Sequence, residues 1–139
     1  MFGDEPKLVS NQEVYDWIKA QGASKAIVHF QGGGDEGGVE NIELMSAGET
    51  QCIRTLEEFY DDGRVWNSQT RQWDRTRELT LEEKVRKALC KPVYDKYHTF
   101  AGEFYVNGTV VWDAEKHSCK LSGQESVEHW EDIEEEEYD

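Results

Sequence analysis

The chain reads as a single α+β domain in which an antiparallel β-sheet, made of an N-terminal hairpin and a C-terminal meander, packs with two helices. Three observations predict this class. Two capping boxes each precede apolar residues at helical spacing. Several short β-branched or aromatic runs are bounded by glycine and asparagine. The length of 139 residues suits one domain, with neither a Pro-rich linker nor an internal repeat. Residues 1–133 are assigned to this domain and 134–139 to an acidic C-terminal tail.

In Ser10-Asn11-Gln12-Glu13 the Ser hydroxyl can accept from the Glu13 amide while the Glu13 carboxylate returns to the Ser10 amide. Val14, Tyr15, Trp17 and Ile18 follow as an apolar face and Gly22 stops it, so the spacing predicts a helix over 11–21. Lys25 to Phe30 and Val39 to Leu44 read as two antiparallel strands, with the glycines of FQGGGDEGGVENI as hairpin punctuation between them. Thr55-Leu56-Glu57-Glu58 suggests one helical turn ending at Asp61-Asp62-Gly63, and Arg71, Trp73, Arg75, Arg77 and Leu79 alternate as one face of a strand.

Thr80-Leu81-Glu82-Glu83 is the second capping box. Leu81, Val85, Ala88 and Leu89 then predict a helix over 81–91, continuing as a kinked piece past Pro92 to Tyr97. Asn107-Gly108, between Gly102–Val106 and Thr109–Asp113, predicts a two-residue hairpin turn, because a type I′ turn needs positive φ at both central positions. Further turns at 114–116 and 122–124 place strands near 117–121 and 125–133.

The formal net charge is −15, and its distribution is uneven. Residues 1–63 hold 13 acids and 4 bases, residues 64–96 hold 5 and 9, and residues 97–139 hold 12 and 2. Carboxylate surfaces repel phosphate backbones, so direct nucleic-acid binding is disfavoured and a basic protein is the better electrostatic partner. No run approaches the roughly 20 apolar residues of a membrane helix, and MFGDEPKLVS lacks a basic region leading into an apolar one. A cytoplasmic protein without membrane contact is the resulting expectation.

Cys52, Cys90 and Cys119 are odd in number and show no C-x-x-C spacing, which fits buried thiols better than a metal or redox pair. His29, His98, His117 and His129 do not cluster, and His29 within an apolar strand reads as a packing residue. Cys90 and His98, eight residues apart across Pro92, fix no nucleophile–base geometry. No catalytic residue, metal site or cofactor is therefore assigned.

The order of elements supports a comparison. A helix is followed by Phe30–Ile42 with the pattern F-x-G-x-G-D-x-G-x-[VI]-E-x-I, then Val65-Trp66 leading into the capped helix of Leu79–Leu89, then Phe100-Ala101-Gly102-Glu103-Phe104, and Glu128-His129 in a final acid-rich strand. Over residues 14–133 the chain resembles a small family of proteobacterial and phage proteins without an assigned activity. The resemblance implies an α+β fold and a phage or mobile-element setting. Glu36 stands where that family has a small residue, and the acidic end is longer.

Two regions carry the functional expectations. In the final segment nine of the fifteen residues 125–139 are acids and none is Lys or Arg, and as a strand they form an array that can imitate a row of phosphates. Glu125, Glu128, Glu131, Asp132, Glu134, Glu135, Glu136 and Glu137 are the candidate partner-binding residues, with Asp35 and Glu36 of the glycine loop as a second contact. The expected function is a non-enzymatic inhibitor, phage-encoded in origin, that binds a basic host nucleic-acid-handling or defence protein. The alternative is a small metal-dependent enzyme or ligand binder using the 32–38 glycine loop, whose Asp35, Glu36, Glu40 and Asn41 offer oxygens but lack a calcium-loop spacing. The Arg71, Trp73, Arg75 and Arg77 segment has the interleaving of a nucleic-acid platform, but with 30 acids in the chain self-pairing is the favoured reading.

Overall fold

A computed structural model of the chain describes residues 9–34, 36–46, 51–59, 64–75, 79–97, 100, 105–126 and 130–138, without the side chains of 64, 65, 75, 126, 130, 131, 134 and 136. Helix α1 (Asn11–Ala20) leads into β1 (Lys25–Gly33), β2 (Glu36–Met45) and β3 (Cys52–Leu56). A small hairpin, β4 (Arg64–Asn67) and β5 (Gln72–Arg75), precedes helix α2 (Leu81–Tyr97). The chain then continues through β6 (Tyr105–Asp113), β7 (Ser118–Ser126) and β8 (Trp130–Glu137). The α+β class is as the patterns predict.

Six strands form one antiparallel sheet in the order β3-β2-β1-β6-β7-β8, and β4 and β5 form a separate pair. The sheet joins two meanders through the β1–β6 pairing, which brings residues 25–33 against 105–113. Side chains alternate across it. Ala26, Val28 and Phe30 of β1, Ile42 and Leu44 of β2, Val110 and Trp112 of β6, and Cys119 and Leu121 of β7 are buried. Their alternates, such as Ile27, His29, Glu43, Val111 and Lys120, remain half-exposed on an open face.

Both helices serve the buried face. Helix α1 starts at the predicted capping box, with the Glu13 N–H donating to Ser10 Oγ at 3.2 Å and the Ser10 N–H to Glu13 Oε1 at 3.3 Å. Its Val14, Tyr15, Trp17 and Ile18 are buried, and the Tyr15 ring tilts against Trp112 at 5.9 Å. The Thr80–Glu83 box opens α2 in the same way, at 3.2 and 2.9 Å. Pro92 brings no N–H to its turn, yet α2 runs unbroken to Tyr97, and the neighbouring Leu89 carbonyl accepts the Trp112 indole N–H at 3.1 Å.

Several boundaries differ from the sequence expectations. Asn107-Gly108 does not turn: both lie inside β6, opposite Gln31 and Phe30 on one side and Gln124 and Gly123 on the other. Glycine is there for space, since a Cβ at Gly108 would lie 2.3 Å from the Ser122 carbonyl oxygen and 2.9 Å from the Phe30 ring. Ser122-Gly123-Gln124 also stays in strand, with Gly123 at φ 156° beside the register shift between Leu121 and Gly123. Thr55-Leu56 ends β3 instead of opening a helical turn, because Leu56 is buried opposite Ile42.

The C-terminal acids are part of the sheet. The boundary drawn at 133 falls inside β8, which pairs with β7 as far as Lys120 opposite Glu137. Tyr138 fastens the end: its N–H donates to the Cys119 carbonyl at 2.8 Å, its carbonyl accepts from Asn11 Nδ2 at 3.3 Å, and its side chain packs on the core. No helix among the described residues is long and apolar enough to cross a membrane.

Candidate functional site

The open face of the sheet is where the surface chemistry collects. Because register is continuous from β1 through β6 to β7, Gln31, Asn107 and Gln124 fall in one transverse row, and Asp132 of β8 continues it. Gln124 Nε2 donates to Asp132 Oδ1 at 3.1 Å, so the row ends in a fixed carboxylate. At the far end of the same strand, Lys120 Nζ lies 3.4 Å from Glu135 Oε1 and 3.6 Å from Glu137 Oε1. Glu135 first, and Glu137 after it, raise the Lys120 ammonium above its ordinary value.

The predicted acids therefore separate into groups. Glu125 of β7 and Asp132, Glu135 and Glu137 of β8 are exposed, β8 being an edge strand of the sheet and β7 its inner neighbour. The backbones of Glu131, Glu134 and Glu136 belong to β8, with Glu131 directly opposite Glu125 in register. Glu36 opens β2, four strands away, and is also exposed. Asp35 and Glu128 lie outside the described residues, as do His98, His129 and Arg77.

The glycine segment has two jobs. Gly34, at φ 59°, makes the tight return between β1 and β2. Gly32 and Gly37 face each other across the two strands and form a seat for Phe100: a Cβ on Gly32 would stand 2.3 Å from that ring and one on Gly37 2.9 Å. On the opposite, open face, where Gly33 has no side chain between Glu36 and Tyr105, lies a depression of about 550 Å³. Gln31, Gly33, Glu36, Tyr105 and Asn107 contribute to its lining. Tyr105 is 62% exposed, and its hydroxyl lies 4.0 Å from where a Cβ on Gly34 would sit.

Tyr105 and Gln31 carry no sequence motif of a site and Asn107 reads there as a turn residue, because the significance of all three depends on the β1–β6 pairing. The available signal was the exposed-side position of Tyr105 and Asn107 in Tyr105-Val106-Asn107, with Val106 buried between them.

The remaining chemistry-bearing residues do not converge. His29 Nε2 meets Glu43 Oε1 at 2.5 Å in mid-sheet, whereas His117 stacks on Tyr15 at 5.0 Å in the β6–β7 turn. Cys90 and Cys119 are buried and Cys52 is exposed. Burial above all, with the Glu58 carboxylate adding to it, pushes the Cys90 thiol far up, which keeps it protonated and unreactive. Among the described residues no group of three or more His, Cys, Asp and Glu side chains is arranged to hold a metal ion. Trp66 and Trp73, 50% and 54% exposed, pack edge to face at 5.5 Å on the β4–β5 pair. Compared with family models, with curated proteins and with solved structures, the chain matches none of them.

Proposed function

We propose that the chain is a non-enzymatic acidic interaction protein that binds a basic macromolecular partner through the β7–β8 end of its sheet. The observation that carries this reading is the order of β8 as an edge strand in which six of eight residues are acids. Among the described side chains, Lys120 is the cation that meets them.

Fold stability does not account for so many acids there. Like charges directly opposite each other work against strand pairing, yet Glu125 and Glu131 hold opposed positions. A free edge is protected from adding further strands by one or two charges or a bulge, and β8 exceeds that several-fold. The spacing suits a cationic surface. At about 3.4 Å per residue the eight residues span about 27 Å, giving roughly one carboxylate per 4.5 Å. One strand of a nucleic acid presents about one charge per 3.4 Å of axis and the duplex one per 1.7 Å, so β8 approaches the charge density of a single strand.

From this follows the more specific reading, an inhibitor that occupies the nucleic-acid surface of a basic host protein of nucleic-acid handling or defence. The phage setting itself is suggested by the pattern of Phe30–Ile42 and Phe100–Phe104, which resembles a family of both proteobacterial and phage proteins. The test is recovery of partners by the intact chain and by a D132N/E135Q/E137Q variant at about 0.05 and 0.5 M salt. Basic, nucleic-acid-binding partners should be held by the intact chain at low salt, and both the substitutions and the added salt should release them. A partner set unaffected by either change overturns the proposal.

A further inference from the structure

The depression over the glycines is distinct from the β8 edge, and its lining is selective. Its floor is formed by Gly33, which has no side chain on this face, and by Gly32, Gly37 and Val106, whose Cβ positions belong to the core face and which therefore offer backbone here. Glu36 and Tyr105 both pair with Gly33, one from each side, so their Cα atoms flank it at about two strand spacings, roughly 9.6 Å. One wall is an aromatic ring and the other a carboxylate. Gln31 and Asn107 close the depression with two exposed carboxamides directly opposite each other in register. A flat floor, a ring and several carbonyl or carboxylate oxygens suit a planar group that donates many hydrogen bonds and accepts none.

The guanidinium group of arginine has that character, with five N–H donors in a rigid plane. It stacks on a tyrosine face and bonds a carboxylate through two parallel N–H groups. An ammonium has the charge without the plane. A phosphate meets Glu36 and a net charge of −15, and is repelled. We infer that the depression lined by Glu36, Tyr105, Gln31 and Asn107 is an arginine-binding site that takes one arginine side chain of the basic partner.

The inference rests on the proposed function for the source of that side chain. Geometry connects the two surfaces. The row Gln31–Asn107–Gln124–Asp132 runs from the depression to the β8 edge across three strand spacings, about 14 Å. A segment of five extended residues covers that distance at about 3.4 Å each. One bound polypeptide can therefore set an arginine in the depression and further cations along β8, the first giving selectivity and the second long-range attraction.

The experiment titrates the full chain with two blocked peptides, one with two arginines spaced by glycines and one with lysines in their place, followed by amide chemical shifts. Free arginine amide is a third arm, reporting the depression without the edge. The arginine peptide is expected to bind at least about fivefold more tightly than the lysine peptide, with shifts at Gln31, Gly33 and Asn107. Y105A and E36Q should each remove most of that preference, and both positions are exposed, so the fold survives the changes. D132N/E135Q/E137Q should weaken both peptides alike and leave the preference intact. Equal affinity for the two peptides, or a preference that persists in Y105A, overturns the arginine site while leaving the acidic-edge reading standing. Indifference to the β8 substitutions overturns the edge reading and leaves the depression in place.

Discussion

Phe100 holds φ at 61°, a region that costs a non-glycine residue of the order of 1 kcal/mol, and it is fully buried. What offsets the strain is its position: the ring stacks on Tyr97 at 5.4 Å, meets Tyr94 edge-on at 6.4 Å, and lies on the backbone of Gly32 and Gly37. A ring covering glycine in a sheet restores the apolar contact that the absent side chains cannot supply. Gly32→Ala should therefore destabilise the protein by about 1–3 kcal/mol, since the ring it meets is closely packed. Phe100→Ala should cost about 3–5 kcal/mol by opening a cavity. In the double variant the alanine methyl enters that cavity, so the two losses should fall short of additivity by 1 kcal/mol or more. Urea denaturation of the four proteins measures this directly, and additive losses would refute the glycine seat.

At the scale of elements, the helices were legible because their signals are local. Each capping box closes within four residues, and each apolar face repeats within the same helix. The β1–β2 hairpin was legible for the same reason, two apolar runs about a glycine turn. Asn107-Gly108 misled because its dipeptide signal assumes a strand with one neighbour, whereas β6 has β1 on one side and β7 on the other. The acidic end misled in the opposite direction: composition suggests a solvated tail, and the anchor is the single aromatic residue Tyr138 near its end. The arginine site was illegible in principle, since it is assembled by β1–β6 pairing between residues some 75 positions apart.

The β4–β5 pair has a different status from the main sheet. It is a hairpin of two four-residue strands whose cross-strand Trp66–Trp73 contact is exposed, and an isolated two-stranded hairpin is only marginally stable. A cross-strand aromatic pair supplies roughly 0.2–1 kcal/mol. Trp66→Ala should therefore raise amide exchange across 64–75 while global stability changes by less than about 0.5 kcal/mol. A global loss as large as the local one would mean that the hairpin belongs to the cooperative core.

For the whole molecule the deciding comparison is between its size and the range of its charge. A chain of 139 residues has a radius of gyration of about 14 Å. At 0.01 M salt the screening length is about 30 Å, so the 15 excess negative charges act on one another across the entire molecule. At 0.15 M it is about 8 Å, and only neighbours interact. Local attractions such as Arg54–Glu82 at 2.7 Å and Arg86–Glu82 at 3.2 Å outlast that screening better than the diffuse repulsion does. Raising NaCl from 0.01 to 0.15 M should therefore increase the melting temperature by several degrees, in line with about 1 kcal/mol of relieved self-repulsion. The same addition should weaken binding of a basic partner, so stability and affinity move in opposite directions with one variable. Parallel melts and titrations over that salt range check the pair of signs. A melting temperature that falls with salt would mean that paired charges outweigh the net field, leaving no long-range attraction to draw a cationic macromolecule towards β8.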